Sequence, residues 1–380
     1  MIYFDNSATT KPHKEVLDSY LKVSMNYYGN PSSLHSLGGQ AERLLTQARE
    51  QIANLLEVKA NEIYFTSGGT ESNNLAIKGT AHMYRNRGKH IITTSVEHPS
   101  VYEAMEQLKE LGFRITYIPV DDSGRVNVKT IEQAICHDTI LVSIIHVNNE
   151  VGTIQPIEEI GEMLLQYPKI LFHVDHVQGI GKVDLPLHQY HIDLCSISGH
   201  KFHGLKGTGL LYIRDGVKIS PLLSGGKQEK NVRSGTENVA GFVAMAKAMR
   251  FIMEKKKTEL VKLKEIKKYL YHELETWDGV TIHTPKENSA PHILNFSIHG
   301  FKSEVFVHAL EEKDVIVSTT SACSSKRKSL SGTLVAMGVS EELASSAIRV
   351  SLSYENTIEE AKQAIEIFNE VISNLRRVMN

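Results

Sequence analysis

The sequence predicts an α/β fold with two domains, and three observations indicate it. The chain has 380 residues, more than one small hydrophobic core usually contains. Between about residue 45 and residue 215, short runs rich in apolar and β-branched residues alternate with amphipathic stretches. After Gly235 the alternation gives way to long helical patterns and a few short strands. Apolar strands separated by helices are typical of a mostly parallel sheet covered by helices on both faces.

The elements of the first region follow from this alternation in order along the chain. The predicted strands are 62–67, 89–95, 114–120, 139–147, 169–175, 191–198 and 207–213. The helices between them are predicted over 71–85, 100–112, 127–136 and 156–167.

The second region predicts a smaller α+β domain. Residues 237–275 form one or two long helices in this prediction, because apolar side chains recur at helical spacing at Leu260, Leu263, Ile266 and Leu270. We expect a large domain over 15–250 and a small C-terminal domain over 251–380, joined by the N-terminal segment 1–14.

Composition narrows the class of function. The 42 basic and 44 acidic residues give a net charge of -2, so we expect no direct binding to nucleic acid or to a membrane surface. No apolar run approaches the roughly 18 residues that span a bilayer, and no signal-peptide pattern opens the chain. Three cysteines (Cys136, Cys195 and Cys323) form neither a disulfide framework nor a metal motif. A cytoplasmic location is the simplest interpretation.

A glycine-rich turn follows the first predicted strand in the stretch "FTSGGTESNN". Gly68 and Gly69 allow a close approach to the backbone, and Thr70 adds a hydroxyl at the start of a helix. Such a helix start, with its backbone N–H groups, can bind a phosphate. An ordinary tight turn explains the same residues, and the stretch matches no nucleotide-binding motif.

Two further stretches place reactive side chains at strand ends. In "FHVDHVQG", Asp175 and Gln178 follow a buried strand, where open α/β sheets bind ligands; a helix-capping aspartate is an equally good interpretation. In "SISGHKFHG", Lys201 follows the next strand and could serve as a Schiff-base amine. The His-x-x-His spacings nearby lack a third ligand of the zinc type, so we expect no metal.

Together these features match the needs of one cofactor. A phosphate site, an aspartate for a pyridinium nitrogen and a lysine for an imine are the three contacts that pyridoxal 5'-phosphate requires. The sequence therefore predicts an enzyme that depends on pyridoxal phosphate.

The same residues occur in motifs that resemble a known family. The stretches "YFDNSATT", "GNPSSLHSLG", "TSGGTESNN", "VEHPSV", "HVNNEVGTIQPI", "HVDHVQ", "SGHKFHGLKGTGLLYI", "RSGTENV" and "SACSS" are similar, in this order, to those of the cysteine desulfurases. These are pyridoxal-phosphate enzymes of the class V aminotransferase group that serve iron–sulfur-cluster assembly and tRNA thiolation. The resemblance extends from Tyr3 to about Ser353 and implies the PLP-dependent transferase fold of type I.

The resemblance also implies roles for individual residues. Asp175 would bind the pyridine nitrogen and Gln178 the ring hydroxyl, while His98 would stack on the ring and transfer protons. Thr236 would reach the phosphate from the neighbouring subunit of a homodimer. The cofactor-binding residues would be Gly69, Thr70, Asn149, Asp175, Gln178, Ser198, His200, Lys201 and Thr236. Arg349, assisted by Asn30, would bind the carboxylate of the substrate.

The implied reaction converts L-cysteine to L-alanine. Lys201, Cys323 and His98 would be the catalytic residues, with Lys201 or His98 as the base and Cys323 as the nucleophile that takes the sulfur as a persulfide. A sulfur-acceptor protein, either a cluster scaffold or a tRNA-thiolation enzyme, would receive it. Alternatives are a plain aminotransferase, which needs no loop cysteine, a selenocysteine lyase, and a non-catalytic sulfur-relay scaffold.

Two positions depart from the usual family pattern. His176 stands where a small residue is usual, and Gly179 stands where a bulkier or polar residue is frequent. His176 could alter the surroundings of the cofactor or fill space. Of the other cysteines, Cys195 is expected in the core and Cys136 at a helix end.

Overall fold

The computed structural model describes residues 1–319 and 330–379. Within them the strands are β1 (Ile2–Tyr3), β2 (Ile63–Thr66), β3 (His90–Thr94), β4 (Arg114–Ile118), β5 (Thr139–Ile145), β6 (Leu171–Asp175), β7 (Leu194–Ser198), β8 (Gly209–Ile213), β9 (Val280–Ile282), β10 (Ile293–Ile298), β11 (Val315–Ile316), β12 (Ser318–Thr319) and β13 (Ala347–Ser351). The α-helices are α1 (Lys14–Asn26), α2 (Ser36–Leu55), α3 (Gly69–Tyr84), α4 (Pro99–Glu110), α5 (Val128–Ala134), α6 (Ile157–Leu164), α7 (Val239–Glu275), α8 (Ser303–Glu311), α9 (Gly332–Ala336), α10 (Glu341–Ser345) and α11 (Ile358–Met379).

A seven-stranded sheet forms the centre of the larger part of the molecule. Its strand order is β2-β8-β7-β6-β5-β3-β4, and β8 runs antiparallel to both of its neighbours while the other pairs are parallel. Each strand falls within one of the seven predicted runs. The predicted α/β fold with a mostly parallel sheet is therefore confirmed.

Helices cover both faces of this sheet, and alternate strand residues show it. Ile92, Cys195 and Leu210 pack into one hydrophobic cluster with residues of α6 and α7. Their neighbours in sequence, such as Ile91 and Leu211, pack into a second cluster with residues of α3 and α4. Because successive side chains of a strand point to opposite faces, each strand contributes apolar residues to two cores.

A second, four-stranded sheet of order β12-β13-β10-β9 forms the centre of the C-terminal part. The N-terminal segment pairs with this part, because β1 lies parallel to β11 and Asp5 bridges to Ser351. Helix α7 is one continuous helix that passes through the expected boundary at residue 250. The division into domains at 15–250 and 251–380 stays a prediction.

The structure shows where Cys195 lies and how apolar the helices are. Cys195 is fully buried in β7, as expected for a core residue, and burial raises the pKa of its thiol. Within residues 1–319 and 330–379, no helix combines the length and the apolarity that a membrane crossing requires.

Candidate active site

The carboxyl edge of the central sheet collects the predicted site residues. Strands β2, β3, β5, β6 and β7 all run in the same direction, so their carboxyl ends lie along one edge. Asp175 ends β6 and is flanked by Ile145 of β5 and Ser196 of β7. Open α/β sheets bind ligands at this edge. Parallel topology therefore explains why residues far apart in sequence meet here.

Asp175 is buried, with 3% of its surface exposed, and two groups donate hydrogen bonds to it. The backbone N–H of Val177 donates to its Oδ1 at 3.0 Å, and the Asn73 Nδ2 donates to its Oδ2 at 2.8 Å. No cation forms an ion pair with Asp175 among the residues that the structure describes. A buried carboxylate without a cation is costly, so the site suits a positively charged ligand atom.

His98 is joined to Asp175 through two side chains. It caps the N-terminus of α4, where the Ser100 backbone N–H donates to its Nδ1 at 3.1 Å. The Ser100 hydroxyl lies 2.8 Å from the same Nδ1 and accepts a hydrogen bond from Asn73 at 2.9 Å. Because Nδ1 accepts, the neutral ring carries its hydrogen on Nε2. Burial lowers the pKa of His98, while the Asp175 carboxylate raises it and Lys201 lowers it.

Lys201 lies in a short helical turn directly after β7. Its Nζ donates to the backbone oxygen of Ser7 at 2.6 Å and to that of Ala8 at 2.9 Å. The Gln178 side-chain amide donates to the same Ser7 oxygen at 3.0 Å. The N-terminal segment thus brings Lys201 and Gln178 to one acceptor.

The start of α3 forms the other end of the site. Gly68 has a φ of 153°, which an L-residue rarely adopts. A Cβ on Gly69 would lie 2.8 Å from the Val177 Cγ2 and 3.5 Å from the Ser198 Cβ, so only glycine lets the helix start approach so closely. Thr70 follows and is exposed. A turn of this shape presents backbone N–H groups to an anion.

His200 follows Ser198 by two residues and lies in the same short helical turn as Lys201. Its Nδ1 is 3.2 Å from the Thr9 hydroxyl. Burial, assisted by the charges of Lys201 and Lys206, lowers the pKa of His200 to about 4. Its neutral ring can therefore donate to or accept from an oxygen at neutral pH.

Arg349 is held in β13 with its guanidinium group at the junction of three segments. Its Nη1 donates to the backbone oxygen of Asn149 at 2.9 Å, and its Nη2 forms an ion pair with Asp5 at 3.0 Å. The buried Nε has no hydrogen-bond partner among the described residues. The guanidinium thus keeps donor capacity for a further oxygen.

Three other predicted residues have no described contact with these groups, for two different reasons. Thr236 and Asn30 are exposed, and the Asn30 side chain accepts from the Ser32 backbone N–H at 2.9 Å. Cys323 lies outside the described residues. No role of these three is tested by the geometry.

Sequence reasoning missed four residues that organise the site: Asn73, Ser100, Asp5 and Ser7. Asn73 and Ser100 connect Asp175 to His98, Asp5 pairs with Arg349, and Ser7 accepts from Lys201. Their motifs "TESNN", "EHPS" and "FDNSATT" were evident, but only tertiary contacts reveal the partners.

One group of metal-ligand type lies elsewhere in the described residues. Cys136 Sγ is 3.0 Å from the His90 Nδ1 and 3.1 Å from the Asp138 Oδ1. The Arg114 guanidinium donates to both the sulfur and the carboxylate, so a cation already balances the cluster. The absence of a metal stays a prediction.

Comparison with known proteins identifies the class of the chain. The family model of the class-V aminotransferases matches residues 2–363. The chain therefore belongs to the class-V aminotransferase family, as its motifs predicted.

Individual relatives narrow this class. A NifS/IcsS protein homolog of Lactobacillus delbrueckii subsp. bulgaricus is 50% identical over 380 residues, covering 100% of this chain and 99% of the relative. The cysteine desulfurase IscS of Dictyoglomus turgidum is 43% identical and covers 99% of this chain and 96% of the relative. A solved NifS-like protein has a TM-score of 0.92 at 40% identity, with 98% of this chain and 99% of that chain covered. These relatives confirm the predicted enzyme class, the cysteine desulfurases that depend on pyridoxal phosphate.

The residues of the site fit this cofactor. The glycine turn before α3, with Ser198 beside Gly69 and His200 two residues further along the chain, suits a phosphate. The buried Asp175 carboxylate, without a cation among the described residues, suits a protonated ring nitrogen. Lys201, directly after β7, could supply the amine.

Proposed function

We propose that this protein releases sulfur from L-cysteine, forms L-alanine and passes the sulfur through Cys323 to an acceptor. The observation that supports it most is that two sets of contacts lie at one sheet edge. Lys201 and Gln178 share the Ser7 oxygen. Asp175 and His98 are connected through Asn73 and Ser100. The full-length similarity to cysteine desulfurases indicates which reaction these residues would perform.

Nine residues would hold the cofactor in this proposal. Asp175 would bind the pyridine nitrogen and Gln178 the ring hydroxyl, with Asn149 near the ring. The phosphate would be bound by Gly69, Thr70, Ser198, His200 and, from the neighbouring subunit, Thr236. Lys201 would supply the amine that links the cofactor to the protein. When bound, pyridoxal phosphate acts as an electron sink that stabilises negative charge on the substrate carbon.

We assign the two proton transfers of the reaction to two different side chains. Nδ1 of His98 accepts hydrogen bonds from Ser100, so the proton that His98 can give is on Nε2. This supports His98 as a proton donor and Lys201 Nζ as the base that removes the substrate's Cα proton. Asp175, held by Asn73 and Val177, would keep a positive charge on the ring nitrogen.

Substrate binding would use the donor capacity of Arg349. Two of its N–H groups could hold the carboxylate of L-cysteine in a bidentate arrangement, with Asn30 assisting. Asp5 would orient the guanidinium through Nη2.

Sulfur transfer would use the thiolate of Cys323. A bond forms between the two sulfur atoms, the carbon–sulfur bond of the substrate breaks, and its electron pair stays with the carbon fragment. That carbon is then protonated, so L-cysteine and the Cys323 thiol become L-alanine and a persulfide without an external oxidant. Cys323 must reach the substrate as a thiolate and the acceptor as a persulfide, and the loop expected from the sequence would allow both.

The biological setting belongs to the same proposal. We infer a cytoplasmic homodimer whose acceptor is a protein of iron–sulfur-cluster assembly or of tRNA thiolation. The exposed position of Thr236 supports a contribution to a neighbouring subunit.

The test is a turnover assay with purified protein, pyridoxal phosphate and L-cysteine. We expect L-alanine and, with a thiol present, sulfide in equal amounts. Lys201→Ala should lose the product and also the cofactor that borohydride reduction fixes to the protein. Formation of an amino-group-transfer product in place of alanine would contradict the proposal and favour an aminotransferase.

A further inference from the structure

We propose that His146, His176 and Gly179 form one support unit that positions the turn carrying Asp175 and Gln178. The two departures from the family pattern are then a single adaptation, because the His176 ring occupies the space that a side chain at position 179 would need. The inference rests on the proposed function insofar as Asp175 and Gln178 hold the cofactor.

The two histidines form a buried pair. Their Nδ1 atoms lie 2.8 Å apart, and the rings stack with centroids 4.9 Å apart at an angle of 29°. His146 and His176 have 3% and 4% of their surface exposed. Burial lowers the pKa of both histidines, so both rings are neutral. A contact of this length then needs one Nδ1–H donor and one bare Nδ1 acceptor, which gives the two rings opposite tautomers. The pair is therefore a directional hydrogen bond between two fixed rings.

Gly179 is required for space and not for backbone conformation. Its φ lies outside the left-handed region. A Cβ built on Gly179 would lie 2.5 Å from the Cε1 and 2.5 Å from the Nδ1 of His176, and 2.9 Å from the Nδ1 of His146. Real Cβ atoms essentially never approach so closely. A side chain at 179 and the paired rings are thus mutually exclusive in this arrangement.

Backbone hydrogen bonds connect the pair to the functional turn. The His146 N–H donates to the Asp175 carbonyl at 2.9 Å, and the His176 N–H donates to the Ser196 carbonyl at 3.0 Å. The His176 carbonyl accepts from the N–H groups of Gly179 and Ile180, both at 3.2 Å. The pair therefore lies where β5 and β6 end, and His176 itself belongs to the turn between Asp175 and Gln178.

A displaced His176 ring would move this turn. Asp175 precedes His176 and binds the backbone N–H of Val177, which follows it. Gln178 reaches the Ser7 oxygen that also accepts from Lys201. A shift of His176 would thus reach two groups that are proposed to contact the cofactor.

The experiment compares cofactor binding by four variants of the full chain. Gly179→Ala adds the Cβ, His176→Ala removes the ring, and the double variant does both. Gly39→Ala is the matched control, since a Cβ on Gly39, in helix α2, meets nothing within 4 Å. The measurements are the dissociation constant of pyridoxal phosphate and the position of its visible absorbance band in each protein.

We expect Gly179→Ala to weaken cofactor binding about tenfold or more and to shift the band, with the double variant at least as good as His176→Ala alone, as for two coupled neighbours. Gly39→Ala should match the unchanged protein. Wild-type affinity and spectrum in Gly179→Ala, or additive losses in the double variant, would overturn the proposal. If Gly179→Ala does not fold, the comparison of His176→Ala with the double variant decides alone: a weaker double variant refutes the coupling.

The experiments distinguish a wrong proposal for the support unit from a wrong proposal for the function. A wild-type protein that binds the cofactor but forms no alanine contradicts the proposed function. The dissociation constants of the four variants still test the support unit in that case. Normal turnover together with an unaffected Gly179→Ala contradicts the support alone. A wild-type protein that does not bind pyridoxal phosphate contradicts both.

Discussion

Asn73 donates a hydrogen bond from its Nδ2 to the Oδ2 of Asp175 at 2.8 Å. Both side chains are buried, and the same Nδ2 lies 2.9 Å from the Ser100 hydroxyl that contacts His98. One amide group thus orients the carboxylate proposed for the cofactor ring and, through Ser100, the imidazole proposed for proton transfer. We therefore expect Asn73 to affect cofactor binding, although we assign it no direct contact with the cofactor.

Asn73→Ala should raise the dissociation constant of pyridoxal phosphate by about 5- to 30-fold, the effect of about 1–2 kcal/mol for a buried carboxylate that loses its donor. The measurement is a titration of the apoprotein followed by cofactor absorbance. Asn54→Ala, at an exposed position near the end of α2, is the control. Equal affinity of Asn73→Ala and the control would show that Val177 alone holds Asp175.

Asp5→Ala should raise the KM for L-cysteine several-fold and leave kcat nearly unchanged. Asp5 fixes the Arg349 guanidinium at 3.0 Å, and a mobile guanidinium binds a carboxylate less well. Steady-state kinetics of alanine formation measures both constants, with Asp18→Ala at an exposed position of α1 as the control. A fall in kcat at constant KM would assign Asp5 to the chemical step.

Arg349→Lys tests the substrate contact itself. Lysine keeps the positive charge but cannot form the two parallel hydrogen bonds of a guanidinium. We expect the KM for L-cysteine to rise about 10- to 100-fold, the loss of about 1.4–2.8 kcal/mol from one charge-assisted bond. Unchanged KM would exclude Arg349 from substrate binding.

Acid should destabilise the fold through its buried histidines. Burial lowers the pKa of His173 to about 3, and its ring lies between the hydroxyls of Ser143 and Ser196. Below the ordinary pKa of 6.5 the unfolded chain takes up a proton that folded His173 does not, so stability falls as pH falls from about 6.5 towards 3. The loss is about 1.4 kcal/mol per pH unit for each such group.

Urea unfolding at pH 7.0, 6.0 and 5.5 (roughly the upper part of this window) tests that expectation. His173→Asn should reduce the pH dependence of the free energy of unfolding by about one proton, whereas His308→Asn, at an exposed position, should not. Equal pH slopes in all three proteins would mean that His173 takes up its proton in the folded state.

The strands of the central sheet were predictable from the sequence because each contributes apolar residues to two cores, which gives short runs rich in apolar and β-branched residues. The sequence did not predict that β8 is antiparallel, since strand direction depends on the short return after Lys201. The N-terminal helices α1 and α2 went unpredicted as well. Helix α1 has only two buried residues, Val16 and Val23, and those of α2 are mostly alanine or glycine, which give a weak apolar pattern.

The candidate site was predictable where chemistry is local. Lys201, Asp175 and the glycine turn each follow a strand, and strand ends of a parallel sheet meet at one edge. Asn73 and Asp5 were not predictable, because their partners lie 102 and 344 positions away in the sequence. Gly179 is a similar case, since only the position of the His176 ring explains the missing side chain.

The most direct test of the account is a single incubation of the holoenzyme with L-cysteine, without a reductant, followed by mass analysis. The account predicts L-alanine and one or more added sulfur atoms on the peptide that contains Cys323. Cys323→Ala should bind the cofactor but form no alanine, whereas Cys136→Ala should retain turnover. Alanine formed at the normal rate by Cys323→Ala, or sulfur carried on another residue, would contradict the central claim.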